Sequence, residues 1–487
     1  MKKAGIAVAV VIALGLAGTA GAWYTGTQME GVLRDAIARS NAQIDEAMPG
    51  GAVRLEMTAF ERGVFSSSAR YELTYPGGED EGPVTLTILD NLEHGPFPLS
   101  RLASLQLLPV MAASEAVFER SETLEPLFAA SGDEPPIVVS STLGYTNNID
   151  GSFRVAPLAF ENEKVRAELA PVTLEFATDV DGDAIVMDGQ WDGVRMASQP
   201  GLEESFTLQV SGVTLFTDQQ RGSAGIYLGE GRLAVASIRV EDETEGALVL
   251  EGLSQNTVLA EEDGNLTGDV DFGLSKVSYK DQELGSAEMQ WSFSQLDQEA
   301  TAEINRLYNE LTMSVYAGEE PPEQGDRWRE AFIAMLDAQP QLALDLLVIR
   351  TPNGESRARA EVQLAKPESF DLPAPELVPQ LLSRIDAHVQ VSTPMLRDMV
   401  MYKTLAQPDL DPEVVAIEAE VLVDMLAGMA QSTGLAKLQD GDLVTNLIYA
   451  DGGIELNGEV IPPEALAGML ALLSPASPAS PGAAQEE

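Results

Sequence analysis

The chain has 487 residues, 45% of them hydrophobic, which is enough for two or three cores and excludes a wholly disordered protein. Asp and Glu number 77 against 29 Lys and Arg, a net charge of -48, which argues against nucleic acid as a partner because phosphates are bound by clustered cations. There is no cysteine, so disulfides, thiol nucleophiles, thiolate metal sites and a lipid-modified N-terminal cysteine are excluded. The acidity fits a solvated surface adapted to salty surroundings, where ions screen self-repulsion. Acidic patches that recruit cations or a basic partner are the other reading.

Lys2 and Lys3 precede an uncharged run from Ala4 to Ala22, and Trp23 and Tyr24 follow it. The run approaches the roughly 20 residues that a helix needs to cross a bilayer. Ala20-Gly21-Ala22 satisfies the small-x-small rule for a cleaved signal peptide. Its length and the aromatic pair favour an uncleaved anchor. In both cases the basic end stays in the cytoplasm and everything beyond Trp23 is exported.

Met29, Val32, Leu33, Ala36, Ile37, Ile44 and Met48 recur at helical spacing until Pro49-Gly50-Gly51 stops them. The period then changes to 2: Ala287, Met289, Trp291 and Phe293 alternate with polar residues, as do "FTLQV" from Phe206 and "LTGDVDFGL" from Leu266. Asp-Gly pairs begin at Asp150, Asp181, Asp188, Asp192, Asp263, Asp440 and Asp451, and Asn-Gly pairs at Asn353 and Asn457. Such dipeptides tolerate positive φ and predict tight turns between antiparallel strands.

Helices return from about Leu296. Ala300, Ile304, Leu307, Tyr308 and Leu311 form one stripe, and Trp328, Ala331, Phe332, Met335 and Leu336 another, with Asp326 as its N-cap. Asp411-Pro412 is an N-cap and N1 pair for a helix whose apolar stripe is Val414, Ile417, Val421 and Met425. A hairpin-like segment from Leu443 to Val460, a short helix near Glu464 to Leu473 and a disordered Ser/Pro/Ala tail close the chain.

Catalytic signals are sparse. His94 and His388 are the two histidines. His94, in "NLEHGPFPL", reads as a packed loop residue, and His388 as a strand residue. Gly229-Glu230-Gly231 with Ala234 mimics a dinucleotide fingerprint, but strand and not helix follows it. Asp179, Asp181 and Asp183 have calcium-loop spacing without its glycine or terminal glutamate, so an acidic hairpin is expected. Ser66, Ser67 and Ser68 have no base near them in sequence, and "SSSARYELTY" continues as a strand with Ala69, Tyr71 and Leu73 on one face. Arg62-Gly63 is the turn into that strand. No residue set implies a cofactor, a metal or a catalytic group.

The order of "WYTG" from Trp23, "FERGVFSSSARYEL" from Phe60, "EHGPFPL" from Glu93, "QPQLALDLLVIRTPNGE" from Gln339 and "YADGGIELNGEVIPPE" from Tyr449 resembles the YdgA/YihF-like family of bacterial envelope proteins of unknown function. The resemblance implies a Gram-negative inner-membrane protein with its body in the periplasm. It brings no catalytic residue. Arg62, Gly63, Phe65, Ser66, His94, Gly95 and Pro96 are the positions that match its recurrent motifs, their role unknown. The extreme acidity is this chain's departure.

The expected fold is α+β: an N-terminal membrane helix, an extended antiparallel β-rich body with helices packed on it, and a mixed C-terminal region. The expected divisions are an anchor or signal segment over 1–24, an amphipathic helix and β-rich region over 25–295, a mixed region over 296–473 and the tail over 474–487. The expected function is non-enzymatic: a single-pass, membrane-tethered periplasmic module that binds or scaffolds, with an envelope lipid or protein as partner. A carboxylate-based hydrolase acting on envelope glycan is the alternative, since that chemistry needs neither cysteine nor histidine.

Overall fold

The computed structural model describes residues 29–47, 53–63, 66–76, 82–94, 98–199, 205–242, 246–317, 324–407, 409–450 and 452–462. The expected anchor, the helix near Glu464 and the tail lie outside them. No helix among the described residues is long and apolar enough to cross a membrane. Contacts divide the chain into two compact units. One runs to Glu288 and takes in Leu296–Met335; the other comprises Met289–Gln295 and Leu336 onward. Both are antiparallel sheets with helices, and the chain is α+β.

The first unit opens with helix α1 (Met29–Ala47), whose Leu33, Ala36, Ile37 and Ile44 are buried as the spacing predicts. Asn41 brackets Leu55, donating from Nδ2 to its carbonyl at 2.9 Å and accepting its N–H on Oδ1 at 3.0 Å. That clasp docks α1 beside strand β1 (Arg54–Arg62) and occupies backbone groups that would otherwise invite another strand. Strands β2 (Ser66–Tyr75), β3 (Val84–His94), β4 (Ala112–Phe118), β5 (Ile137–Leu143) and β6 (Asn148–Val155) follow, each antiparallel to the one before. Short helices α2 (Leu99–Ala103) and α3 (Glu125–Ala130) interrupt the meander. Leu33, Ile37, Leu55, Tyr71, Leu73, Ile88 and Leu92 form its core on the α1 side.

The hairpin β7 (Leu158–Glu161) and β8 (Val165–Leu169) precedes β9 (Val172–Asp179), which pairs with β6. The long strand β10 (Ala184–Ser198) then pairs with β9 along its first half and with β8 along its second. Strands β11 (Phe206–Arg221), β12 (Tyr227–Asp242), β13 (Gly246–Glu262) and β14 (Asn265–Tyr279) extend the sheet. Strand β15 (Gln282–Asp297) leads to helices α4 (Gln298–Ala317) and α5 (Gly325–Asp337). Asp297 caps α4 through the Ala300 N–H at 2.7 Å. Asp326 is a first-turn residue of α5 and not its N-cap, because the helix already begins at Gly325.

The expected turns divide. Asp263-Gly264, Asp440-Gly441 and Asn457-Gly458 have positive φ at both residues, as two-residue hairpins require. Asp150-Gly151, Asp188-Gly189 and Asp192-Gly193 instead lie inside strands β6 and β10. There the glycine serves a close approach, as where the Phe176 ring lies over Gly151.

In the second unit β16 (Gln341–Thr351), β17 (Gly354–Leu364), β18 (Leu382–Ser392), β20 (Asp442–Ala450), β21 (Gly453–Leu456) and β22 (Glu459–Ile461) pair in that order, with β19 (Lys437–Gln439) also on β20. Helices α6 (Ala374–Leu381), α7 (Thr393–Met401), α8 (Lys403–Ala406) and α9 (Pro412–Ser432) complete it. Asp411 caps α9, accepting the Glu413 N–H at 2.9 Å. The expected stripe of that helix is corrected: Val415, Ala419 and Val423 are buried, and Val414, Ile417, Val421 and Met425 face outward. Two apolar stripes share the helix, and composition alone does not choose between them.

Candidate functional site

Register brings two of the sequence motifs together. Ser66 stands opposite Glu93 in the β2–β3 ladder, and Ser67 Oγ lies 3.0 Å from His94 Nε2. The expectation that these serines have no base beside them is therefore corrected. The partner is supplied by the next strand, beyond the reach of local sequence reading. Gly63 follows β1 and leads toward β2; a Cβ there would fall 2.2 Å from the Ser66 carbonyl. Arg62 ends β1 opposite Ser67. Phe65, Gly95 and Pro96 lie outside the described residues. His388 is in β18, with Nδ1 2.6 Å from Asn446 Oδ1.

Among the described residues the serine and histidine are a pair without the third, orienting member of a nucleophilic triad. Ser67 is only 3% exposed. Among the described residues no carboxylate is hydrogen-bonded to His94 Nδ1 to orient the ring. Burial pushes the His94 pKa down, against the upward pull of a hydrogen bond with the Ser66 backbone. Asp90, on the same face of β3, is committed elsewhere: its Oδ1 accepts Ser114 Oγ–H at 2.6 Å and its Oδ2 accepts Tyr71 O–H at 3.2 Å. Burial lifts the Asp90 carboxyl to about 7 despite those two bonds. These groups form a polar seam on the α1 side of strands β2 to β4.

The opposite face of the same strands is open. A trough of about 750 Å³ crosses β3 to β10, and one register row of its floor reads Asn91, Glu115, Ser140, Ser152, Glu175, Asp188. Arg101 and Arg154 also line it. Glu93 fixes its rim, accepting both Ser100 N–H at 2.9 Å and Ser100 Oγ–H at 2.6 Å. Among the described residues no group of three His, Asp or Glu side chains is placed to hold a metal ion. Of the calcium-like aspartates, Asp179 holds the turn: both its side-chain oxygens accept from the backbone N–H groups of Asp181, Asp183 and Ala184.

A third feature spans β10 to β14. In each strand the apolar alternation slips by one residue, from Trp191 to Val194, Val213 to Val210, Val235 to Ile238, Leu253 to Leu250 and Leu274 to Val277. A strict two-residue period would throw half of these to the other face. At the slip, the row Asp192, Gly212, Ala236, Gly252, Ser275 is skipped in every ladder. Gly212 and Gly252 sit there with φ of 65°, and Gly193 with φ of 130°. This line of irregular backbone, a bulge line in which one residue is skipped on both strands so that no register shifts, breaks the two-residue alternation and returns the apolar residues to one face. The exposure of β10 follows it: Val186, Asp188, Gln190 and Asp192 are exposed, then Arg195. The ten residues flanking the slip are half-buried, and Leu215, Leu233 and Phe272 in one row are exposed.

The motifs near the C-terminus are clasps. Asp398 binds Thr351 and Asn353 at the β16–β17 turn. The Asn457 side chain accepts the Asn446 N–H and donates to the carbonyls of Gly434 and Leu435.

A family model described as "Bacterial protein of unknown function (DUF945)" matches residues 1–464. The chain belongs to the DUF945 family. Within that similarity, Protein YdgA of Escherichia coli (strain K12) is 27% identical over 505 residues, covering 100% of both chains. The uncharacterized protein YihF of the same organism is 19% identical over 477 residues, 93% of this chain and 96% of that one. An uncharacterized protein of Haemophilus influenzae is 25% identical over 170 residues, 34% of this chain and 46% of its own length. The resemblance drawn from the motif order thus agrees with whole-chain similarity. Ser66 and His94 lie in the β2–β3 strands, and Asn353 and Asn457 lie in side-chain clasps.

Proposed function

We propose that this DUF945 protein is a non-enzymatic binding module of the bacterial envelope, tethered to the inner membrane by its N-terminal segment with its body in the periplasm, and that its ligand is an elongated apolar chain, an envelope lipid. The observation that carries this reading is the apolar face of β10 to β14, kept continuous by the bulge line. A sheet that only needed a solvated surface would gain nothing from matching the slip across its strands. Acyl chains suit such a face because their transfer from water stabilises by about 0.8 kcal/mol per CH₂. The experiment is native mass spectrometry of full-length protein extracted from membranes in mild detergent, beside the variant Leu215→Gln/Leu233→Gln. Stoichiometric lipid, lost in the folded variant, is expected; folded wild-type protein without lipid would refute the reading.

The polar trough favours one second reading, a glycan hydrolase. Glu175 and Asp188 are direct cross-strand partners on the trough floor, a register that sets Cβ atoms about 4.5–5.5 Å apart and so puts two carboxyl groups within reach of one glycosidic bond. Release of reducing ends from peptidoglycan or another envelope glycan, lost in Glu175→Gln, would support it over lipid binding.

A further inference from the structure

We propose that the outward stripe of α9 is a docking face for an amphipathic helix of another protein whose polar flank is basic. Val414, Ile417, Val421, Met425 and Met429 are each between 51% and 64% exposed. Their spacing of three and then four residues makes one ridge along the helix, about 22 Å long at 1.5 Å per residue. Ridges of this i, i+4 kind receive a second helix in their grooves.

The stripe is also held still. Val415, Ala419 and Val423 bury the far side of the helix, and the Asp411 side chain caps its start. Beyond its end, Gly434 and Leu435 are bound through their carbonyls to Asn457 Nδ2 at 2.9 and 3.1 Å. A surface fixed before binding loses little ordering entropy when a partner arrives.

Charge selects among occupants. The helix carries Glu413, Glu418, Glu420 and Asp424, all exposed, and no Lys or Arg. At about 100° per residue, Glu413, Glu420 and Asp424 fall along one edge of the stripe and Glu418 beside its ridge. An antiparallel two-fold pairing with a second copy would set that acidic edge against itself, in a chain already at -48. Helices that lie on bilayers carry Lys and Arg on their polar face, which α9 lacks. A helix with apolar residues at i, i+3, i+4 and i+7 and a lysine flank satisfies both the ridge and the acidic edge.

The test uses full-length protein in mild detergent and two fluorescent designed helices with the same Leu stripe, one flanked by Lys and one by Glu. Anisotropy should show the Lys peptide binding at least tenfold more tightly than the Glu peptide. The variant Ile417→Ser/Val421→Ser/Met425→Ser keeps every charge and should weaken the Lys peptide at least tenfold. Equal binding to variant and wild type would reduce the effect to net charge and overturn the proposal, as would no binding of the Lys peptide. A wild-type dimer in light scattering that the triple variant abolishes would assign the stripe to a second copy. Flotation with phosphatidylcholine vesicles, lost in the triple variant, would assign it to a bilayer; either result overturns the proposal.

Discussion

Asp398 Oδ1 accepts Asn353 Nδ2–H at 2.7 Å, and its Oδ2 accepts the Asn353 backbone N–H at 3.1 Å, so a single carboxylate from α7 holds the β16–β17 turn from 45 residues away. Thr351 Oγ1 donates to the same Oδ2 at 2.6 Å. Asp398 is 9% exposed. Hydrogen bonds to a charged acceptor contribute about 1.5–3 kcal/mol each, and their loss strands the donors. Asp398→Ala is expected to destabilise the second unit by about 2–4 kcal/mol, read as a lower urea midpoint.

Gly252 tests the bulge line. Its φ is 65°, and a Cβ would fall 2.4 Å from Ser275 Oγ. Gly252→Ala combines left-handed strain of about 1–2 kcal/mol with that contact. The expected result is a lower melting temperature together with loss of the lipid proposed above, although no apolar residue is removed. Unchanged lipid stoichiometry in this variant would separate the bulge from ligand binding.

The buried seam makes stability depend on pH in two opposite senses. Asp90 has its pKa raised to about 7 in the fold, so the native state holds a proton that the unfolded chain releases near pH 4. Its contribution is complete below the unfolded pKa and is lost as pH rises through about 7, at up to about 1.4 kcal/mol per pH unit. His94 is shifted down, so its neutral form is the folded one and stability is lost as pH falls below its ordinary value of about 6.5. Urea titrations from pH 4 to 8 should show wild type losing stability relative to Asp90→Asn between about pH 4 and 7, with no further relative change above that.

Ser67 should behave as a packing residue. With its hydroxyl buried against His94, a fluorophosphonate probe is expected to leave it unlabelled in the folded protein. His94→Ala strands that hydroxyl and should cost about 1–3 kcal/mol. Labelling of Ser67 at neutral pH, abolished in His94→Ala, would instead identify a nucleophile.

What the sequence determined by itself was local. The two-residue alternation marked β11, β14 and β15, the 3.6-residue period marked α1, α4 and α5, and Asp-Gly and Asn-Gly marked the turns at Asp263, Asp440 and Asn457. These follow from steric and hydrophobic rules that act over a few residues. Motif order also identified the family, because order survives where residues drift. Tertiary structure decided the rest. Ser67 met His94 because a hairpin register joined residues 27 apart in the chain. The outward face of α9 was settled by which stripe its neighbours could cover. The one-residue slip in five strands became an apolar face because every ladder skips the same row. In each case the deciding contact lies on another strand or helix, and no local pattern encodes which one will arrive.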